Sequence, residues 1–429
     1  WHRAYAQLGH GGWDVKGIKS GDITIDHVDP NHFVGGLLFT AGQGAYRQFD
    51  YQAYAQLGHG GYASNGNSFG NITVRGTEDL DGVGMLFKAG TREDNYVHLG
   101  HGGRSARSGT GDGVNSFGLN GDIDIQVSGD VAFVAGTLDK ANTTWTEDGR
   151  LYALLGHGGW DADPSNNNTT NHGQIRTNPL IPVGTAGAGE GNWGHFGDIT
   201  LVSTDGDISF MAGDNTPVAS RVDFDGNPLG LPADPNGLLT SLGNGAGRFH
   251  HAQLGHGGYA AGGDHFGNIT VRADNGGVHV VGGMLTQDND VGSYTWAQIG
   301  HGSTNAPGNI GAVDQFIKVH GLDGDVIVVG GQSPTASYGQ IGHGGYNSAG
   351  DKTADISIIA VNNLYLNSGA GTFANNWAKI GHGDVRNLNT GTRNGDIHVS
   401  VGESLNMGQA LIGHIDFKIA PDDFLRSTQ

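Results

Sequence analysis

Three observations predict an all-β parallel β-solenoid. An octet around Gly-His-Gly recurs along the chain, two further short apolar segments recur with it at fixed order, and no segment carries a helical hydrophobic period. The expected architecture is a right-handed β-helix of about eight coils. Each coil has three short strands, and long loops are inserted near the middle of the rod.

The octets read YAQLGHGG, YAQLGHGG, YVHLGHGG, YALLGHGG, HAQLGHGG, WAQIGHGS, YGQIGHGG and WAKIGHGD, with histidines at His10, His59, His101, His157, His256, His301, His343 and His382. Their spacings are 49, 42, 56, 99, 45, 42 and 39 residues, and a ninth partial copy, GQALIGHI, carries His414. A second segment follows each octet: GDITID from Gly21, GNITVR from Gly70, GDIDIQ from Gly121, GDITLV from Gly197, GNITVR from Gly267, ADISII from Ala354 and GDIHVS from Gly395. In the sixth unit QFIKVH from Gln315 takes this place. Ile72 and Val74 alternate with polar neighbours, which is the period of a half-buried strand. The third segment is more uniformly apolar: GLLFTAG, GMLFKAG, DVAFVAG, DISFMAG, GVHVVGG, DVIVVGG and NLYLNSG, then a weaker ESLNMG. Coils stacked at the strand spacing of about 4.8 Å make a rod of roughly 40 Å. A propeller would need about four strands per blade.

The organisation expected is one solenoid over 1–415, with loops at 160–196 and 214–250 that account for the 99-residue spacing, and a tail or cap over 416–429. The two loops are rich in Asn, Gly and Pro and are the places where a repeat scaffold most often binds.

Composition agrees. Gly is 80 of 429 residues, against an average near 7%. The missing Gly-X-Y period and only 11 Pro exclude collagen, and recurring β-branched runs argue against disorder. No apolar stretch reaches the roughly 18 residues of a spanning helix, so membrane insertion is not expected. A net charge of −20 disfavours nucleic acid and anionic lipid as partners. The absence of Cys excludes disulfides and thiolate metal sites and suits exported bacterial repeat proteins. The chain opens on Trp1, as an excised piece would.

The histidine column has three readings. The first is structural: stacked neutral rings bonded to backbone, since neighbours at about 5 Å disfavour charging them all. The second is a transition-metal column on His10, His59, His101, His157, His256, His301, His343 and His382, since neutral imidazole is a good ligand. The third is a pH sensor or a polar ligand-binding stripe. Glycine on both sides of each His indicates a tight corner needing positive φ.

Asp22, Asn71, Asp122, Asp198, Asn268, Asp355 and Asp396 form a second column, expected to bond backbone amides, with calcium as the alternative. Tyr5, Tyr54, Tyr96, Tyr152, Trp296, Tyr338 and Trp377, with His251, form an aromatic column that would suit sugar rings if exposed. Gln7, Gln56, Gln253, Gln298 and Gln340 share its face. Asp223 and Asp225 in the second loop are turn-formers or a weak calcium site. No P-loop, H-E-x-x-H or G-x-S-x-G motif is present, so no catalytic residue is assigned and no cofactor is required.

These repeats, with their Gly/Asn/Asp-rich turns and no Cys, resemble the haemagglutinin-like, filamentous-haemagglutinin-type adhesins of Gram-negative bacteria and the passengers of autotransporters. The resemblance is architectural, covers 1–415, and transfers no residue by position. It implies a structural or adhesive rod at the cell surface that associates end to end or continues into further repeats, with surface glycans as candidate targets. The Gly-His-Gly column departs from that pattern and keeps a metal-binding fibre in view. A carbohydrate-binding or carbohydrate-processing β-helix is the other alternative.

Overall fold

The computed structural model describes residues 4–26, 36–42, 52–76, 82–106, 118–136, 149–162, 194–213, 249–283, 294–331, 336–368, 376–384 and 391–414. All regular structure among them is β, and every strand pairing is parallel. The chain is a parallel β-solenoid whose sheets run along the stack.

The first sheet has nine strands, from Tyr5–Leu8 through Tyr54–Leu57 and onward to Ala410–Ile412, always pairing with the next unit. Register is residue for residue: Tyr5 on Tyr54 on Tyr96, Leu8 on Leu57 on Leu99. The second sheet has eight strands, from Ile23–Asp26 to Ile397–Val401, and the third has eight, from Leu37–Thr40 to Leu405–Met407. Identical environments stack because each coil closes its backbone bonds on its neighbours and has no core of its own. Alternate residues of the three sheets meet in one continuous core, with Leu57, Ile72, Val74, Met85 and Phe87 as a representative layer. Phe39, Phe87, Phe133 and Phe210 stack within it at 4.7, 4.9 and 5.4 Å between ring centroids.

Two features differ from the sequence reading. Each coil has a fourth contact line where three strands were expected. Strands of two or three residues, Lys19–Ser20, Ser68–Phe69, Leu119–Asn120, Gly194–Phe196 and Asp264–Phe266, stack just before the Gly-Asp/Asn-Ile segment. The line continues through bridges at Ile310 to Lys352–Thr353 and Arg393–Asn394. Strands this short cannot display alternation, so periodicity misses them.

The second difference is that both faces of the first sheet are buried in the interior coils. The segment after each histidine folds back over the aromatic side. A Cβ at Gly12 or Gly61 would crowd the phenol oxygen of Tyr5 or Tyr54 at 2.7 Å. The segment is itself stacked, Gly12 N–H donating to Gly60 O and Asp14 N–H to Tyr62 O at 2.7 and 2.9 Å. Trp13 lies on Tyr62 at 4.0 Å and Trp160 on Tyr259 at 3.9 Å.

The 160–196 insertion is accordingly narrower than expected: Trp160 belongs to this covering layer, and Gly194–Phe196 is a strand. Residues 163–193, 214–248 with Asp223 and Asp225, and 415–429 lie outside the described residues.

Candidate functional site

Each first-sheet strand ends two residues before its histidine, and the glycine between sits at positive φ. At Gly58, φ is +147° and a Cβ would overlap the carbonyl of Gly100 in the next coil. Only glycine turns here, and the turn delivers the ring to the corner between sheets.

The rings stack with centroids 4.6–5.0 Å apart, from His10 on His59 through to His382 on His414, so His414 is a ninth member. Each Nδ1 accepts the backbone N–H of the histidine one coil earlier. His59 N–H to His101 Nδ1 is 3.0 Å, and His256 N–H to His301 Nδ1 is 2.9 Å. Each Nε2 faces the carbonyl that opens the second-sheet strand of the earlier coil. His59 meets Gly21 O at 2.7 Å, His101 meets Gly70 O at 2.7 Å, and His382 meets Ala354 O at 2.8 Å.

This fixes the tautomer. A nitrogen that accepts an N–H is bare, so the proton is on Nε2 and donates to the carbonyl. From His59 on, each imidazole bonded in this way is neutral and pins two sheets across two coils. Burial first, then in most the adjacent rings, holds these groups below the ordinary histidine range: His157 to about 3, His301 to about 4, and His101, His256, His343 and His382 well down.

A ring engaged at both nitrogens has no free lone pair, so a metal would have to break these bonds. Among the described residues no group of three or more His, Cys, Asp or Glu is placed to hold an ion. His343 departs from the rule. Its Nδ1 is bare, but its buried Nε2 has no partner. In the sixth coil a turn closed by Gln315 N–H to Ala312 O replaces the simple Gly-Asp/Asn entry, and the carbonyl at this register, Gln315 O, accepts the Asp355 N–H at 2.9 Å instead.

The other columns are engaged in the same way. Asp22 Oδ1 accepts Asn71 N–H at 2.8 Å, Asn71 Oδ1 accepts Asp122 N–H at 2.9 Å, and Asp122 Oδ1 accepts Asp198 N–H at 2.9 Å. One acceptor oxygen is all the position asks for, so Asp and Asn alternate freely. Gln56 Nε2 donates to Gly100 O and Gly102 O at 3.1 and 3.0 Å, satisfying corner carbonyls. His98 does this at 2.6 Å to Gly156 O, and Lys379 donates to His382 O and, at 2.7 Å, Gly383 O. Donor capacity rather than residue type is the requirement. The aromatic column that would take sugars if exposed is buried from Tyr54 through Trp377.

Sequence reasoning missed a second set of buried histidines, His195, His250 and His265, all without solvent exposure, and placed His251 only in the aromatic column. His195 and His265 lie on the fourth line, which no periodicity marks.

The fold and columns define a cysteine-free parallel β-solenoid with a histidine corner in every coil. No family model, curated protein or solved structure matches the chain.

Proposed function

We propose that the chain is a structural or adhesive rod segment of a large bacterial extracellular surface or filament-forming protein, without catalysis of its own. One observation carries the reading: the polar side chains that recur from coil to coil are spent on the neighbouring coils. The imidazoles, the Asp/Asn oxygens and the Gln amides bond backbone groups above and below them. Groups used this way stabilise a stack, whereas a site tuned to a ligand would direct them at solvent.

The edges of the stack support the same reading. Leu38 and Leu405, in the first and last described third-sheet strands, are 62% and 49% exposed. Such edges suit further repeats of a longer chain or end-to-end association of copies. The test is analytical ultracentrifugation with electron microscopy over a concentration series, beside elemental analysis and a glycan array. Concentration-dependent lengthening without metal supports the rod. A strictly monomeric protein carrying stoichiometric transition metal or calcium favours the metal-binding fibre, and one that selects glycans favours the carbohydrate reading.

A further inference from the structure

Off the histidine column, the fourth and fifth coils carry four further imidazoles without solvent exposure: His195, His250, His251 and His265. None stands where the repeat calls for one. His195 and His265 lie on the fourth contact line, between Leu119 of the coil before and Ile310 of the coil after. His251 is stacked between Tyr152 at 5.1 Å and Trp296 at 4.4 Å, at a register that Tyr or Trp fills in the other seven octets. His250 precedes it, where the adjacent coils have Leu151 and Thr295.

The four rings are also poorly bonded. A column ring such as His256 uses both nitrogens, Nδ1 on the His157 N–H at 3.0 Å and Nε2 on Gly197 O at 2.7 Å. His250 and His251 make no well-formed hydrogen bond at either ring nitrogen, and His195 and His265 make none at Nε2. The one bond of that second pair is between its own Nδ1 atoms, at 2.9 Å. The folded rod therefore gains little from imidazole at these positions.

Nor does it offer a counter-charge. The ionisable groups near His195, besides His265, are the bases His98, His157, His256 and His301. Near His265 are His301, His343, Lys352 and its chain neighbour Asp264. Near His250 and His251 are each other and the Tyr152 phenol. Asp264 is the one carboxylate in this set, and its Oδ1 already accepts the Asn309 N–H at 2.7 Å.

We propose that the fourth and fifth coils, 149–213 and 249–283, form an acid-opened segment that unfolds locally in mild acid while the coils on either side stay folded. An interior coil opens only by losing its interfaces with both neighbours, so at neutral pH the ends of the stack open first. Acid reverses that order, because opening frees imidazoles to take up protons. Burial holds His250, His251 and His265 at about 3 and His195 well down, so these rings gain a proton only by leaving the core. Each such ring multiplies the opening constant by about 30 between pH 7.5 and pH 5. Every interior coil has that factor from its own column ring, and the third coil adds His98. The four extra rings add up to about a million-fold here. This inference is independent of the role proposed for the rod.

The experiment is amide hydrogen exchange of the full chain, read by mass spectrometry at pH 7.5 and pH 5 and corrected for the intrinsic rate at each pH. The expected result is that protection over 194–213 and 249–283 falls in acid at least about a thousand-fold more than over 52–76 and 336–368. A variant with His195→Leu, His250→Leu, His251→Tyr and His265→Ile copies Leu119, Leu151, Tyr152 and Ile310 of adjacent coils. It should keep the circular dichroism of the parent at pH 7.5 and lose the excess. Protection that falls equally along the parent, or from the ends inward, overturns the proposal. So does an excess that persists in the variant. Should the variant fail to fold, the parent decides through exchange at the imidazole C2 carbons. If His250, His251 and His265 exchange at pH 5 no faster than His343 and His382, the segment does not open.

Discussion

At His301 two backbone groups depend on one ring, the His256 N–H on Nδ1 at 2.9 Å and the Gly267 carbonyl on Nε2 at 2.9 Å. Asparagine can keep one of them, so His301→Asn should cost about 1–3 kcal/mol, the price of one orphaned buried group. Lysine buries an unpaired charge and should cost several kcal/mol more. His343→Asn should cost less than His301→Asn, because His343 Nε2 already lacks its acceptor. Chemical denaturation of the three variants checks the ranking, and equal costs at 301 and 343 would contradict the two-bond account. The sequence placed the histidines at one register with Leu or Ile two residues before and Gly on either side. It could not give the tautomer, which is set by a backbone N–H some 32–99 residues away in the chain. Nor did it reveal that the Tyr/Trp face is covered. The covering segment is Gly-rich and reads as a loop, although the aromatics Trp13, Tyr62, Trp160, Tyr259 and Tyr346, each three residues after a histidine, were the available signal.

Among the elements, the second and third strands were legible because a buried parallel stack leaves either alternation or an unbroken apolar run. The fourth line was not, because two residues have no period. The covering segment carries its own column of strained backbone. Asp14, Ala63, Ser105, Asp161, Ala260, Asn305 and Asn347, each four residues after a histidine, have φ between 51° and 58°. A side chain in this left-handed region costs about 1–2 kcal/mol, and glycine's extra freedom in the unfolded chain returns about 0.5–1 of that. Ala260→Gly should therefore stabilise by about 0.5–1 kcal/mol, read as a rise in the denaturation midpoint. Gly58→Ala should act the opposite way and destabilise by several kcal/mol, because its Cβ meets the Gly100 carbonyl at a φ of +147°. Deleting 255–299 joins Leu254 to Gly300, and since Leu254 and Ile299 are register partners the junction reproduces a native one. Circular dichroism should show a shorter all-β protein. An unfolded product would mean that the coils are not interchangeable.

For the whole molecule the buried imidazoles add up. His98, His101, His157, His195, His250, His251, His256, His265, His301, His343 and His382 are all without solvent exposure and all held below the ordinary range, with burial the largest cause. In the unfolded chain they titrate near 6.5. The sign follows from which state takes the proton first. Below about 6.5 the unfolded chain is protonated while the folded rings stay neutral, so each ring withdraws stability as pH falls. The loss continues to the folded values, about 4 for His98 and His301 and about 3 for His157 and His265. Above 6.5 the pH dependence from these rings fades, and it is nearly gone by about pH 7.5. The slope approaches about 1.4 kcal/mol per pH unit for each ring. Lys352, lowered to about 7 by burial, also loses stability with falling pH, but its contribution is spent between its unfolded value and about 7 and does not enter the acid window. For a chain of this length the melting temperature should therefore drop on the order of 20 °C between pH 6.5 and pH 5. It should change far less between pH 8 and pH 7. A melting curve indifferent to pH over 6.5 to 5 would mean that the rings are solvated or already charged in the folded rod. Repeating the series with a chelator at pH 8 separates metal from stacking, since the column needs no ion to hold its rings and should melt at the same temperature with or without it.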